Sequence, residues 1–366
     1  MNYSEKIQRL RDRRQGLYTK DGRFALDEAL GALRKQEKFT SIAQPESVKY
    51  AIGAMQRVDD EYTQNSYAEG NRVRDRLAEG LTAANLPATY EYQGSVPLDV
   101  HVRGNSDIDL LVLHAGFVTA ELEVWQQYGY VKAGSGGKSV TDELAELRKE
   151  SINVLQRRYY GADIDTSGSK SISLSGGSLK RTVDVVPSHW HDTLAWKQTQ
   201  DQANRDVYIL DSHKGVRIPN KPFMHIRLVQ NKCIATGGAL RKVIRLLKNV
   251  RYDATPAIAL PSYDIVALAW NMAEADLIVP FGVDLLLVER ARAYLKLVIG
   301  NPSYRNALRV PDGSRVIYDK PEKLAATIQL YGEIDQLVKD IYRELDPVAT
   351  MFNRPASTVL AKAVYI

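Results

Sequence analysis

The chain has 366 residues, 44% of them hydrophobic and 25% charged, a globular composition that excludes a mostly disordered protein. Lys and Arg number 49 against 44 Asp and Glu, an excess that fits phosphate-bearing ligands and is too small to indicate a protein that coats DNA. The single cysteine, Cys233, excludes an intrachain disulfide and a cysteine-rich zinc module. The sequence shows no signal peptide and no membrane span, and it therefore predicts a cytoplasmic location.

The first part of the chain predicts helices and strands in mixed order. Charged and apolar residues recur at helical spacing before residue 86, whereas four consecutive aliphatic residues, Leu110–Leu113, mark the clearest strand. The predicted helices are 23–86 and 139–159. The predicted strands are 88–93, 107–114, 171–175 and 181–187, the last two joined by a turn at Gly176-Gly177.

The second part, beyond Trp190, predicts mostly helices. A ribbon or loop at 205–221 comes first, and the predicted helices are 222–234, 238–252, 262–275, 282–299 and 320–345. We therefore predict an α+β fold with two lobes. Residues 1–215 form a mixed sheet with helices, including the N-terminal helices, and residues 216–366 form a helical lobe.

Two carboxylates stand side by side at the start of the clearest strand. Residues i and i+2 of a strand share a face, so Asp107 and Asp109 project together while Ile108 points into the core. A lone Asp-x-Asp is more often a turn, a cap or a solvated face. The aliphatic strand behind this pair favours a metal site instead. A divalent cation between the two carboxylates would relieve the repulsion between their charges. Mg²⁺ suits such oxygen ligands.

Further residues of suitable chemistry lie on either side of this pair. Asp184 lies in the β-branched run RTVDVVP, which could pair beside the first strand and supply a third carboxylate for two metals. That carboxylate could also take the proton from an attacking hydroxyl group. Upstream, Gly94 allows the backbone to approach phosphate closely, and the Ser95 hydroxyl can bind β- and γ-phosphates.

The spacing of these motifs resembles the polymerase-β-like nucleotidyltransferase superfamily: GS, eleven residues (VPLDVHVRGNS), then DID. The chain is more closely similar to the bacterial cGAS/DncV-like nucleotidyltransferases. Three features carry this resemblance, spread over roughly residues 50–300: RGNSDIDLLV, KRTVDVVP, and the helical RKVIRLLKNVR with the following LPSYDIVALAW. The resemblance implies a polymerase-β-like catalytic lobe and a helical C-terminal lobe that closes the nucleotide pocket.

The resemblance also implies nucleotide-binding residues, for which the sequence leaves other roles open. It assigns Gln93, Gly94 and Ser95 to the nucleotide, Lys248 to the triphosphate, Ser262 to phosphate and Tyr263 to stacking on a base. Lys248 shares a basic helical stripe with Arg241 and Arg245, which could be a solvated face, although a predicted triphosphate site nearby favours a phosphate contact. Ser262 could be a helix N-cap, and Tyr263 could simply pack in the core.

By resemblance, the enzyme joins ribonucleoside triphosphates, ATP among them, with Mg²⁺ or in its place Mn²⁺, and releases pyrophosphate. The product implied is a cyclic or linear oligonucleotide second messenger in CBASS-type anti-phage defence, where accessory or regulatory proteins are partners to expect. Zinc-dependent DNA sensing is not expected, because Cys233 is the only cysteine. Two alternatives stay open: an RNA- or tRNA-tailing nucleotidyltransferase, and a non-catalytic nucleotide-binding interaction protein.

Two other patterns have weaker functional interpretations. Gly134–Ser139 looks like a P-loop but lacks its first glycine, since Lys132 stands there. We interpret this segment as a loop before the helix 139–159. His189 and His191 could bind a metal, yet apart from Asp192 no suitable ligand is near in sequence, and we predict a structural or interface role for them.

Overall fold

The computed structural model describes residues 2–14, 37–104, 106–129 and 137–365. The described helices are α1 Tyr3–Arg14, α2 Lys38–Ser41, α3 Glu46–Met55, α4 Asp60–Ala83, α5 Leu122–Tyr128, α6 Val140–Arg158, α7 Leu194–Thr199, α8 Pro222–Ala235, α9 Ala239–Asp253, α10 Ser262–Trp270, α11 Glu274–Leu277, α12 Leu285–Gly300, α13 Pro302–Ala307, α14 Pro321–Leu345 and α15 Ala356–Val359. The strands are β1 Ala88–Gln93, β2 Ile108–Ala120, β3 Asp163–Asp165, β4 Ile172–Ser175, β5 Val183–Asp192, β6 Asp206–Asp211 and β7 Val216–Asn220.

The chain divides into two compact units, and this division differs from the predicted boundary at 215/216. A sheet unit comprises Asp59–Leu98 and Ser106–Leu228. A helical unit comprises Met1–Val58, Asp99–Asn105 and Val229–Ile366. The N-terminal helices α1 to α3 therefore group with the C-terminal helices, because long-range contacts rather than sequence order define a compact unit.

A seven-stranded mixed sheet forms the centre of the sheet unit. Its strand order is β1-β2-β5-β4-β3, and β6 and β7 extend it from β5. The β2 and β5 strands run parallel, whereas the other pairs are antiparallel. One edge of β5 pairs with β2, and along the other edge the first half pairs with β4 and the second half with β6, so β5 is hydrogen-bonded on both edges.

The two faces of this sheet carry different side chains because successive strand residues alternate in direction. One face packs against α4 and α6 in a large apolar cluster that includes Ile108, Leu110, Val183 and Val185. The opposite face holds a smaller cluster around Leu111, Val186 and Trp190 and carries the residues that alternate with the first set. Asp109 and Asp184 belong to this second face.

Buried polar contacts hold distant parts of the helical unit together. Both terminal nitrogens of Arg13 in α1 donate to the carboxylate of Asp253 at the end of α9, at 2.7 and 3.1 Å. The Tyr50 hydroxyl of α3 donates to the same carboxylate at 2.8 Å. These bonds tie two helices before residue 56 to a helix that begins after residue 238, so segments far apart in sequence belong to one unit.

Most predicted elements are present, with shifted ends. The strands predicted at 88–93, 107–114, 171–175 and 181–187 are β1, β2, β4 and β5, and the ribbon predicted at 205–221 is the β6–β7 hairpin. The helix predicted at 23–86 is interrupted into α2, α3 and α4, and its residues 23–36 lie outside the described part. The helix predicted at 262–275 divides into α10 and α11. None of the described helices has the length and apolar character that a bilayer crossing requires.

Candidate active site

Asp109 and Asp184 are direct neighbours on the two parallel strands. Asp109 of β2 is the register partner of Asp184 of β5. Neighbouring strands lie about 4.8 Å apart, and register partners share a face, so the two carboxylates start from adjacent points of one surface. Both residues are half-buried, and Oδ1 of Asp184 is shielded from solvent. The backbone therefore places Asp184 beside Asp109, as the sequence led us to expect.

Asp107 immediately precedes β2. The next residue, Ile108, donates its backbone N–H to the carbonyl oxygen of Thr182 at 3.0 Å, which fixes the strand start against β5. Ile108 is fully buried in the apolar cluster on the helix-covered face, so alternation puts Asp107 on the same face as Asp109. All three predicted carboxylates thus begin on one face, at the ends where β2 and β5 start.

The Gly-Ser turn follows β1, directly beside Asp109. Gly94 has φ +79°, and an added Cβ would overlap with Oδ2 of Asp109 and lie 3.0 Å from its Cγ. Gly94 therefore meets two requirements, a left-handed backbone and room for a neighbouring carboxylate. Ser95 comes next in the same turn and is half-buried.

Gln93 ends β1 opposite Asp109 in the register. Its side-chain oxygen accepts a hydrogen bond from Nδ2 of Asn220, the last residue of β7, at 3.1 Å. Sequence analysis missed Asn220, because nothing in the local pattern brings the end of β7 to the end of β1. The contact fixes one rim of the surface that carries the carboxylates.

The backbone positions of these carboxylates suit the binding of divalent cations. Carboxylate oxygens are the ligands that Mg²⁺ and Mn²⁺ prefer, and a Cβ at Gly94 would fill the space occupied by one of them. Among the residues that the structure describes, no three His, Cys, Asp or Glu side chains are gathered closely enough to hold a metal ion.

The three predicted residues of the helical unit have defined contacts there. Nζ of Lys248, which is 1% exposed, donates to the carbonyl oxygen of Val100 at 2.8 Å. Ser262 is the first residue of α10, after the N-cap Pro261, so the alternative role as an N-cap is wrong. Its Oγ accepts from Arg251 at 3.1 Å. The Tyr263 hydroxyl donates to Asp312 at 2.7 Å, and burial first of all raises its pKa.

The basic stripe of α9 is not a solvated face. Arg245 is 6% exposed and donates to the carbonyl oxygen of Asp99 at 2.8 and 3.1 Å, to its carboxylate at 3.0 Å and to the carbonyl oxygen of Met55 at 3.1 Å. Together with Lys248, Arg245 thus holds residues 99–100 of the spacer between the Gly-Ser turn and Asp107. Sequence analysis missed this role of Arg245, because it considered only solvent and phosphate as partners for the basic stripe.

The histidines near the end of β5 form a buried neutral network. His189 has its pKa lowered to about 3, chiefly by burial. Its Nδ1 lies 2.8 Å from the carbonyl oxygen of Trp190 and therefore donates, while Arg217 donates to Nε2 at 3.2 Å. Nδ1 of His191 lies 2.8 Å from the Thr119 hydroxyl. These contacts fit the predicted structural role.

A mixed sheet with carboxylates on its two adjacent parallel strands and a Gly-Ser turn beside them is the arrangement that the resemblance to nucleotidyltransferases implies. No family model matches the chain. Two known proteins that are similar in sequence nevertheless agree with this enzyme class. The cyclic dinucleotide synthase CdnE of Yersinia aleksiciae is 32% identical over 374 residues, 96% of this chain and 95% of that protein. A c-di-GMP synthase of a Lachnospiraceae bacterium is 32% identical over 261 residues, 63% of this chain and 70% of that protein.

Solved structures give the same relationship. The STING-associated CdnE c-di-GMP synthase from Capnocytophaga granulosa matches with a TM-score of 0.72 at 25% identity, covering 93% of this chain and 98% of that one. The chain belongs to the bacterial cGAS/DncV-like nucleotidyltransferases, the family of the CdnE cyclic dinucleotide synthases. The predicted α+β fold, the enzyme class and the function as a cyclic oligonucleotide synthase are confirmed.

Proposed function

We propose that this protein joins two ribonucleoside triphosphates into a cyclic dinucleotide, with Asp107, Asp109 and Asp184 as its catalytic carboxylates. The observation that supports this most directly is the register of Asp109 with Asp184 on parallel strands. Two adjacent carboxylates on one face repel each other and gain most from a bound cation. This arrangement suits phosphoryl transfer, in which charge stabilisation and positioning supply most of the rate.

The Gly-Ser turn is proposed to hold the triphosphate of the donor nucleotide. Gly94 has no Cβ and a left-handed backbone, so its peptide groups can approach a phosphate closely. The Ser95 hydroxyl adds a donor to the phosphate oxygens. Gln93, fixed by Asn220, forms the neighbouring rim.

The chemical step balances without any further reagent. A 2′- or 3′-hydroxyl oxygen of the acceptor attacks the α-phosphorus of the donor, and a new P–O bond forms. The bond from that phosphorus to the bridging oxygen breaks, and pyrophosphate leaves with the electron pair. Asp184 takes the hydroxyl proton. A second transfer of the same kind closes the ring and releases a second pyrophosphate.

Magnesium, with manganese as a substitute, is the proposed cofactor, and it would offset the charge of the carboxylates and the triphosphate. The residues of this chain have a separate task. The register of β2 with β5 holds two carboxylates at one strand spacing, and Gly94, which has no Cβ, leaves free the space that the Asp109 carboxylate occupies. Both features are present in the protein before a nucleotide arrives.

On the helical unit, Lys248, Ser262 and Tyr263 remain proposed nucleotide contacts. Arg251 supports the assignment of Ser262, because its guanidinium lies 3.1 Å from Oγ and brings a positive charge to a phosphate-binding position. Tyr263 is held through its hydroxyl by Asp312, which leaves the ring in a fixed orientation suited to stacking. Lys248 would have to exchange its bond to Val100 for a phosphate contact.

Guanine and adenine nucleotides are the first substrates to test. Similar proteins are named c-di-GMP synthases, and the solved Capnocytophaga granulosa structure is described as STING-associated. We therefore propose a guanine-containing cyclic dinucleotide, with ATP as the alternative second substrate, and a role for the product as a signal in anti-phage defence.

Incubation of the purified protein with each radiolabelled triphosphate, alone and in pairs, tests this proposal. We expect a phosphatase-resistant product of dinucleotide mass in Mg²⁺ or Mn²⁺, and none with Asp109→Ala. Growth of an added RNA instead would identify a tailing enzyme. Nucleotide binding without turnover under every condition would identify a non-catalytic protein. Either result overturns the proposal.

A further inference from the structure

A row of polar residues crosses five strands on the carboxylate-bearing face of the sheet. Each member is the register partner of the next, and the row consists of Gln93, Asp109, Asp184, Ser173 and Asp165. With strands about 4.8 Å apart, four intervals give a length of about 19 Å. The row is therefore long enough to underlie two nucleotides, whereas the predicted site accounts only for its first three members.

Ser173 occupies the position next to Asp184. Its strand neighbours Ile172 and Leu174 are fully buried in the apolar cluster on the other face, so Ser173 itself lies on the face of Asp184. Side chains that are directly opposite on antiparallel strands have Cβ atoms about 5 Å apart. Ser173 is half-buried, so part of the residue is exposed on this face.

The in-line geometry of phosphoryl transfer decides which nucleotide lies near Ser173. In phosphoryl transfer the attacking and leaving oxygens lie on opposite sides of the phosphorus. The Gly-Ser turn, which follows Gln93 at the end of β1, lies at one end of the row and would hold the leaving pyrophosphate group. The attacking hydroxyl then approaches from the other side, beyond Asp184, where β4 lies.

We propose that Ser173 contacts the sugar of the acceptor nucleotide and positions its hydroxyl group for attack. This inference rests on the proposed function, because it needs a donor and an acceptor on the same face. The Ser173 hydroxyl group donates its proton to a ribose oxygen, or its Oγ accepts a hydrogen bond from the ribose hydroxyl that does not react. Ser173 is thus a substrate-contacting residue of the acceptor subsite, and it takes no part in binding the triphosphate of the donor.

Two analogues separate the subsites in one assay. Guanosine 5′-α,β-methylene triphosphate keeps its ribose hydroxyls and can only accept, because its α–β bridge is not cleaved. A 2′,3′-dideoxyguanosine triphosphate has no ribose hydroxyl group and can only donate. Their mixture yields one linear dinucleotide, and each concentration is varied in turn at a saturating level of the other. The same pair is made with adenine for a wild-type enzyme that prefers ATP.

We expect Ser173→Ala to raise the half-saturating concentration of the acceptor analogue about three- to tenfold, the effect of one lost hydrogen bond, and to leave that of the donor unchanged. Ser173→Thr keeps the hydroxyl group and should stay within about twofold of wild type. Ser171→Ala, just before β4, is the matched control and should change neither value. Should the alanine variant be unstable, Ser173→Val against Ser173→Thr compares the same hydroxyl in side chains of equal shape.

An unchanged acceptor value in Ser173→Ala, or equal shifts for donor and acceptor, overturns this inference and leaves the proposed function intact. A wild-type protein that forms no linear or cyclic product from any analogue or natural triphosphate removes the proposed function, and the acceptor role of Ser173 falls with it. The two failures are therefore distinguishable from the wild-type measurement alone.

Discussion

Replacing Gly94 by alanine should remove most of the catalytic activity and little of the stability. The new Cβ would overlap with Oδ2 of Asp109 and lie 3.0 Å from its Cγ. Two carbon atoms pack at about 3.5 to 4.0 Å, so the carboxylate has to retreat by roughly 0.5 to 1 Å. A misplacement of about 1 Å in a reacting centre costs about 100-fold in rate, and we expect a loss of that order in kcat.

The backbone contributes a second, smaller effect that a control can isolate. Alanine at φ +79° loses about 1 to 2 kcal/mol relative to glycine, which lowers Tm by a few degrees. Gly215 has φ +62° in the β6–β7 hairpin, and nothing lies within 4 Å of an added Cβ there. Gly215→Ala should therefore show the same loss of Tm with full activity.

Pyrophosphate release at saturating triphosphate, measured beside thermal unfolding of both variants, checks this prediction. The expected pattern is equal Tm values and activities that differ by about two orders of magnitude. If Gly94→Ala remained within about threefold of Gly215→Ala in kcat, the place of the Asp109 carboxylate beside the turn would not matter for catalysis. The assignment of this turn to the active site would then be wrong.

Three further predictions concern charge. Asp184→Asn should reduce product formation at least about 1,000-fold without lowering Tm in the absence of metal, because it removes repulsion with Asp109. Arg13→Ala leaves the buried Asp253 carboxylate without its ion-pair partner, and it should lower the free energy of unfolding in urea by about 3 to 5 kcal/mol. His189 has its pKa lowered to about 3, so the unfolded chain, with an ordinary pKa near 6.5, binds the proton first. Stability should therefore fall as pH drops from 7 toward 3, by about 2 kcal/mol at pH 5 from this residue, and urea unfolding of His189→Asn should show a smaller fall.

The strands of the site could be predicted from the sequence because their local pattern is strong. Leu110–Leu113 has four aliphatic residues in a row, and Val183–Val186 is β-branched apart from one aspartate. Their parallel pairing could not be derived in the same way. Asp109 and Asp184 lie 75 positions apart in sequence, and which strands become neighbours depends on the packing of both faces.

Elements that owe their structure to tertiary contacts were missed. The three-residue strand β3 contains two aspartates, which are unfavourable in strands, and it forms because β4 supplies an antiparallel partner. Ser173 has no signal of its own either, since one serine between two apolar residues is common in any half-exposed strand. Its significance follows only from the register that puts it beside Asp184.

The spacer between the Gly-Ser turn and Asp107 explains why the unit boundaries cannot be derived from sequence order. Its residues 99–105 group with the helical unit, although the residues on both sides of them belong to the sheet unit. Buried backbone carbonyls need hydrogen-bond donors, and Arg245 and Lys248 donate to the carbonyls of Asp99 and Val100 from almost 150 residues away. A basic stripe on a helix is compatible with a solvated face, a phosphate contact or a partner for buried carbonyls. Only the contacts of the folded chain distinguish the third role, and this role also holds the segment that precedes the proposed catalytic aspartates.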